Sequence, residues 1–140
     1  HIAGDGILTY FNDPVPCHDA PLRAVRMAVA MRDDIGRLAE SWRRRGHDLD
    51  VGIGVSLGYA TLGTIGSEGL FHYASIGSVT NLAARLSDEA RGGQILASAR
   101  IHAAVEDAVE CEPLGAVTLK GFARPVEVFD VIAVRPDTAA

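Results

Sequence analysis

A short stretch, GSVTNLAARL at residues 77–86, carries the side chains best suited to chemistry. At 100° per residue its apolar residues share one face of a helix, and Asn81 and Arg85 lie four residues apart on the opposite face. An amide and a guanidinium at this spacing present several donors together, which suits a sugar oxygen beside a phosphate. Asn is a poor helix former and an unusual choice for a solvated face. The same spacing is also typical of an ordinary surface helix, so both interpretations stay open.

Three other features could carry chemistry, and each has a simpler explanation. Asp5 stands between two glycines, which is typical of a tight hairpin turn. The glycines of residues 52–58 have some likeness to a dinucleotide-binding loop, but that loop needs a following helix, and ATLGTIG follows instead. Lys120, in LKGF, lies beside a predicted turn, where a lysine is usually solvated.

Hydrophobic periodicity predicts the elements that would position these residues. We expect a strand at 7–11, a helix from Asp19 and Pro21 to near Gly46, a hairpin within 49–66, a strand at 69–77, a helix at 78–90, a strand at 94–98, a helix at 99–106, and strands at 116–121 and 126–134. Few helices and many strands predict an α+β fold with a mostly antiparallel sheet. The chain is long enough for one core, so we expect one domain at 1–134 and a flexible tail at 135–140.

Composition narrows the classes of function. A formal net charge of −5 argues against a broad electrostatic interaction with nucleic acid, and we expect no such partner. No apolar run approaches the ~18 residues of a membrane span, so this segment is expected to make no membrane contact. Cys17 and Cys111 are far apart and lack metal-ligand spacing, which predicts reduced thiols in a cytoplasmic domain.

The segment YASIGSVTNLAARL resembles the signature of class III nucleotidyl cyclases, the adenylyl and guanylyl cyclases of bacterial type, in which a glycine precedes V-N-x-A-x-R-L on a helix. Other segments match that family in order: AGDGILTYF, the long helix, GIGVSLGYATLGTIG and LKGFARPVEVFDV. The resemblance covers nearly the whole chain. It implies the ferredoxin-like fold of these cyclases, without the family's first strand and the helices that follow it.

The resemblance also implies roles for particular residues. Asn81 matches the residue that orients the ribose, and Arg85 matches the one that stabilises the phosphate in the transition state. Lys120 resembles the triphosphate-binding lysine. Asp5 matches the second of two aspartates that bind two Mg²⁺ or Mn²⁺ ions, and the first belongs to the strand that this sequence lacks. Family active sites form between two subunits, so a homodimer with shared active sites is implied.

Two positions depart from the family pattern. Adenylyl cyclases usually read the base with a lysine and an Asp or Thr, and guanylyl cyclases use Glu and Cys, where this chain has His1 and Ala74. The side chain of Ala74 can neither donate nor accept a hydrogen bond. Weak discrimination between ATP and GTP is therefore expected, at about 1–3 kcal/mol for each lost hydrogen bond.

The sequence leaves three functions open. The leading interpretation is an adenylyl cyclase that converts ATP to cyclic AMP and pyrophosphate in signal transduction. The second is a cyclase-homology module with little or no activity that dimerises and regulates an attached domain. The third is a ferredoxin-like RNA-binding domain, which the acidic charge and the lack of an aromatic-rich R-G-F-type strand oppose.

Overall fold

A computed structural model describes residues 2–3, 6–13, 15–67 and 70–136, with the backbone alone at 2–3, 61–67 and 70–76. Three helices and eight strands lie within these residues. The strands are β1 (Ile2–Ala3), β2 (Gly6–Ile7), β3 (Ile53–Val55), β4 (Thr61–Ser67), β5 (Leu70–Ile76), β6 (Ile95–Ser98), β7 (Val109–Val117) and β8 (Val126–Val134), and the helices are α1 (Ala20–Arg44), α2 (Ser78–Glu89) and α3 (Ala99–Val105).

The main sheet has four strands in the order β3-β6-β8-β7. Strands β3 and β6 are parallel, whereas β6–β8 and β7–β8 are antiparallel, which confirms an α+β fold with a mostly antiparallel sheet. The hairpin predicted within 49–66 is wrong. Strand β4 pairs with β5 and not with β3, whose partner β6 lies some forty residues further on. Local pattern identifies a strand but does not identify its partner.

Helix α1 forms close to where periodicity predicts it. It begins after Asp19, whose side chain makes no capping hydrogen bond, with Pro21 in its first turn. It ends at Arg44, just before Gly46, which has a positive φ of 86°. Near its end, Ala39 is buried while its neighbour Leu38 is half exposed.

Two predicted strands have different limits in the structure. The strand expected at 7–11 ends at Ile7, and the strand expected at 116–121 is β7, which begins at Val109 and ends at Val117. Strand β7 is at the edge of the sheet, where Pro113 and exposed acidic residues are tolerated because one side of the strand pairs with no other strand among the described residues. The register also shifts between Pro113 and Gly115, whose φ is 81°. This shift interrupts the alternation by which a strand is predicted from its sequence.

The core forms on both faces of the sheet. On one face α1 and α3 pack against the strands, and on the other α2 and the β7–β8 loop do so. The first cluster contains Val25, Ala28, Val55, Ile95, Ala97, Ile101, Val105, Val109 and Val131. The second contains Leu86, Leu96, Leu119 and Val128. Strand β6 is central and buried throughout, as its alternate residues face the two clusters.

Arg135, the residue that follows β8, is hydrogen-bonded to the segment that follows α3. The Arg135 amide donates to the Ala108 carbonyl at 2.8 Å, and its guanidinium donates to the Glu106 carbonyl at 2.8 Å. The limits of the domain and of the tail stay predictions, and residues 137–140 lie outside the described part. No helix in that part is both long and apolar enough to cross a bilayer.

Candidate active site

Helix α2 carries the residues that the sequence singles out. It begins after Gly77, whose φ of 155° is a conformation that other residues rarely adopt. A Cβ at this position would also lie 3.4 Å from the Tyr59 carbonyl oxygen. The glycine therefore allows the chain to leave β5 and enter the helix directly, which explains why the helix starts with the residue that follows it.

The two faces of α2 are in different environments, as predicted. Leu86 is fully buried and packs with Leu96, Leu119 and Val128. On the opposite face Asn81 is exposed and the Arg85 side chain is 40% exposed. The outward placement of this pair is confirmed, whereas the roles of Asn81 and Arg85 stay predictions.

Arg85 has a carboxylate neighbour on its own helix. Its Nη1 donates to Asp88 Oδ2 at 3.3 Å, and both side chains are substantially exposed. This pair is not among the residues predicted from the sequence, although its i, i+3 spacing is a signal that could have indicated it. Asn81, by contrast, makes no side-chain hydrogen bond among the described residues. Within the described residues the Asn81 amide is therefore unpaired, whereas the Arg85 guanidinium is held by a weak, exposed ion pair.

Lys120 lies in a turn and not in the predicted strand. The Phe122 amide donates to the Leu119 carbonyl at 3.1 Å, and Gly121 has a φ of 87°, which together form a tight turn with an exposed lysine. Leu119 is 1% exposed and belongs to the same cluster as Leu86. The turn that carries the lysine is thus anchored beneath α2, next to the inner face of the helix that displays Asn81 and Arg85.

The resemblance also assigns site roles to His1, Asp5 and Ala74. His1 and Asp5 lie outside the described residues. Ala74 is in β5, where its backbone pairs with Gly63 of β4. The roles that the resemblance implies for these three residues stay predictions.

A metal site cannot be built from the described residues, among which no three His, Cys, Asp or Glu side chains form a cluster. The Asp5 carboxylate has the donor type that Mg²⁺ and Mn²⁺ prefer, but one carboxylate is not a site. The role of Asp5 as a metal ligand stays a prediction.

A shallow groove of about 340 Å³ lies elsewhere, among Arg32, Arg91, Gln94 and Asp130. Its main polar groups already have partners. Arg32 donates to the Val131 carbonyl at 3.1 Å, and Gln94 donates to Asp130 at 3.2 Å. The groove therefore offers few free groups, and α2 remains the better candidate for a site.

Comparison with known proteins identifies the family. The model for the adenylate and guanylate cyclase catalytic domain matches residues 1–132. The chain belongs to this family. Adenylate cyclase 1 of Rhizobium meliloti (strain 1021) is 27% identical over 134 residues, which are 94% of this chain and 20% of that protein. This cyclase chain thus spans about a fifth of the length of that relative.

Solved cyclase structures share the fold. The adenylyl cyclase CyaB from P. aeruginosa is 34% identical with a TM-score of 0.83, over 91% of this chain and 67% of that one. The guanylyl cyclase Cya2 is 31% identical with a TM-score of 0.79, over 92% of this chain and 66% of that one. Membership of the cyclase family and its fold, expected from the signature, are therefore confirmed. The adenylyl cyclase and the guanylyl cyclase match this chain about equally well, so these matches are compatible with either adenine or guanine as the base of the nucleotide.

Proposed function

We propose that this chain is the catalytic domain of an adenylyl cyclase that converts ATP to 3′,5′-cyclic AMP and pyrophosphate. The observation that carries the proposal is the outward display of Asn81 and Arg85 on α2 in a domain of this family. In the reaction the ribose 3′-oxygen forms a bond to the α-phosphorus, and the bond from that phosphorus to the pyrophosphate oxygen breaks. The proton of the hydroxyl leaves to solvent.

Each proposed role follows from the chemistry of the side chain. The Asn81 amide can donate to and accept from the ribose, which orients the 3′-hydroxyl. Arg85 donates two N–H groups to the α-phosphate as negative charge develops there, in exchange for Asp88. The ammonium of Lys120 attracts the outer phosphates as a point charge. Two Mg²⁺ or Mn²⁺ ions, with Asp5 as one ligand, are the proposed cofactors and would neutralise phosphate charge.

A homodimer is part of the proposal, because Asn81 and Arg85 face away from their own core. We propose that they act on a nucleotide held in part by Asp5 of a second copy. The test mixes an Asp5→Asn variant with an Arg85→Ala variant, each inactive alone. In an equal mixture about one quarter of wild-type activity returns, because half of the dimers are mixed and each has one intact site. No recovery would contradict shared sites.

The reaction itself is tested on the natural protein, with any residues that precede His1 included. Purified protein is incubated with ATP or GTP and Mn²⁺, and cyclic nucleotide is separated by chromatography. Arg85→Ala is expected to lower kcat by about 10²–10³-fold. Arg43→Ala, an exposed arginine near the end of α1, is the matched control and should leave kcat unchanged. Absence of cyclic nucleotide from both substrates would reject the proposal and favour a regulatory module.

A further inference from the structure

Two glycines, Gly54 in β3 and Gly52 just before it, bring this segment into close backbone contact with α2 and the residue that follows the helix. A Cβ added to Gly52 would lie 2.8 Å from the Ala90 carbonyl oxygen and 2.9 Å from the Ser87 carbonyl oxygen. A Cβ added to Gly54 would lie less than 3.0 Å from the Ala83 carbonyl oxygen, the Ser87 amide nitrogen and the Leu86 Cβ. Approaches this close do not occur without displacement of one partner. The two glycines therefore set how near the helix lies to the strand.

Two serine hydroxyls hold the helix in this position. Ser56 Oγ donates to the Val79 carbonyl at 2.5 Å, in the first turn of α2. Ser87 Oγ donates to the Gly52 carbonyl at 3.2 Å, in the last turn. Both hydrogen bonds are partly buried, where they are less weakened by water. Because they act at opposite ends of the helix, together they limit its sliding along β3 and its rotation.

Asn81 and Arg85 lie between these two attachments, on the far side of the helix. We infer that Gly54, with the Ser56 and Ser87 hydroxyls, positions this pair for catalysis by setting the distance and rotation of α2 against β3. The inference rests on the proposed cyclase function. Gly54 touches no substrate and acts only through the helix, so it is a positioning residue.

The size of the expected effect follows from the geometry. An alanine at Gly54 must push α2 outward by about half an ångström or more to reach ordinary contact distances, since the atoms it meets are helix backbone. The helix would carry Asn81 and Arg85 with it. Misplacement of a positioning group by about 1 Å can cost about 10²-fold in rate. Nucleotide binding that involves groups outside α2 would change less.

The first experiment compares two glycine variants in the natural protein with ATP. Gly54→Ala is expected to lower kcat by about 10–100-fold with KM changed less than about threefold. Gly36→Ala is the matched control, because a Cβ at Gly36, within α1, has no atom within 4 Å. Wild-type kcat in Gly54→Ala would overturn the inference.

A second variant adds no atoms and so avoids a folding defect. Ser56→Ala removes one attachment and should lower kcat by about 3–10-fold. It is also made in an Arg85→Lys background, where activity is low but measurable. If Ser56 acts through the position of Arg85, its removal costs clearly less in that background. An equal loss in both backgrounds would mean a general structural role and would overturn the inference.

A third measurement does not depend on turnover. Crystal structures of the wild type and of Gly54→Ala give the distance between α2 and β3 directly. An outward shift of α2 is expected, and an unmoved helix would overturn the inference whatever the kinetics. A wild-type protein that makes no cyclic nucleotide would instead reject the proposed function, so the two failures are distinguishable.

Discussion

Arg85 Nη1 lies 3.3 Å from Asp88 Oδ2, one turn further along the exposed face of α2. Both groups are open to solvent, so the pair contributes at most about 1 kcal/mol to stability. Its effect on the proposed reaction is different. A guanidinium held by a carboxylate must leave that partner before it can donate to a phosphate. Asp88 is therefore expected to compete with the nucleotide for Arg85.

Replacement of Asp88 tests this competition. In Asp88→Asn the guanidinium loses its charged partner, and kcat/KM for the nucleotide should rise by about two- to fivefold at low salt. The advantage should shrink at high salt, because ions screen the wild-type pair as well. Glu89→Gln is the control, as it removes the same charge from the next exposed residue. A similar rise in both variants would indicate a general charge effect and not competition for Arg85.

Leu119 and Lys120 are neighbours with separate expected effects. Leu119→Ala leaves a cavity beside Leu86 and should lower the free energy of unfolding by about 2–4 kcal/mol. Lys120→Ala removes an exposed side chain, so stability should change by less than about 0.5 kcal/mol, while KM for the nucleotide rises. Urea unfolding and steady-state kinetics on both variants measure these effects. A normal KM in Lys120→Ala would show that the lysine does not bind phosphate.

Cys111 gives a prediction that depends on pH. Burial raises the pKa of the Cys111 thiol above its usual value. The positive charge of Arg135 lowers this pKa, and the negative charge of Asp130 raises it, but burial has the largest effect. A folded state that holds the thiol proton more tightly loses stability as pH rises above the ordinary thiol pKa. In a Cys17→Ser variant, iodoacetamide at pH 8 should therefore label Cys111 at least about tenfold more slowly in the folded state than in urea. Equal rates would contradict the prediction.

Much of the fold could be predicted, because the elements that carry a strong local pattern are where periodicity places them. Helix α2 and strand β8 are examples. Strand β7 was largely missed because an edge strand tolerates proline and charge, so its sequence lacks the usual alternation. The pairing of β3 with β6 could not be predicted either, because the local sequence does not show which strand some forty residues away is the partner.

The candidate site was predictable to a similar extent. The outward face of Asn81 and Arg85 follows from helical spacing alone. The anchoring of the Lys120 turn by Leu119 was not predictable, because it depends on contacts between distant segments. From the sequence alone, Gly52 and Gly54 resemble part of a cofactor-binding loop, and nothing in the local pattern indicates their contact with α2. Their actual partners become visible when the helix and the strand are side by side.

The order of the elements along the chain separates the residues that locate α2 from the hairpin that precedes the helix. Strands β3 and β6 are parallel neighbours, and the connection between them contains first the β4–β5 hairpin and then α2. The contacts that locate α2 come from Gly54 in β3 and from Gly52 and Ser56, which flank that strand upstream of the hairpin. Insertions or deletions within the hairpin can thus be absorbed without shifting the helix. The length of that hairpin could therefore change during evolution while Asn81 and Arg85 kept their positions on the helix.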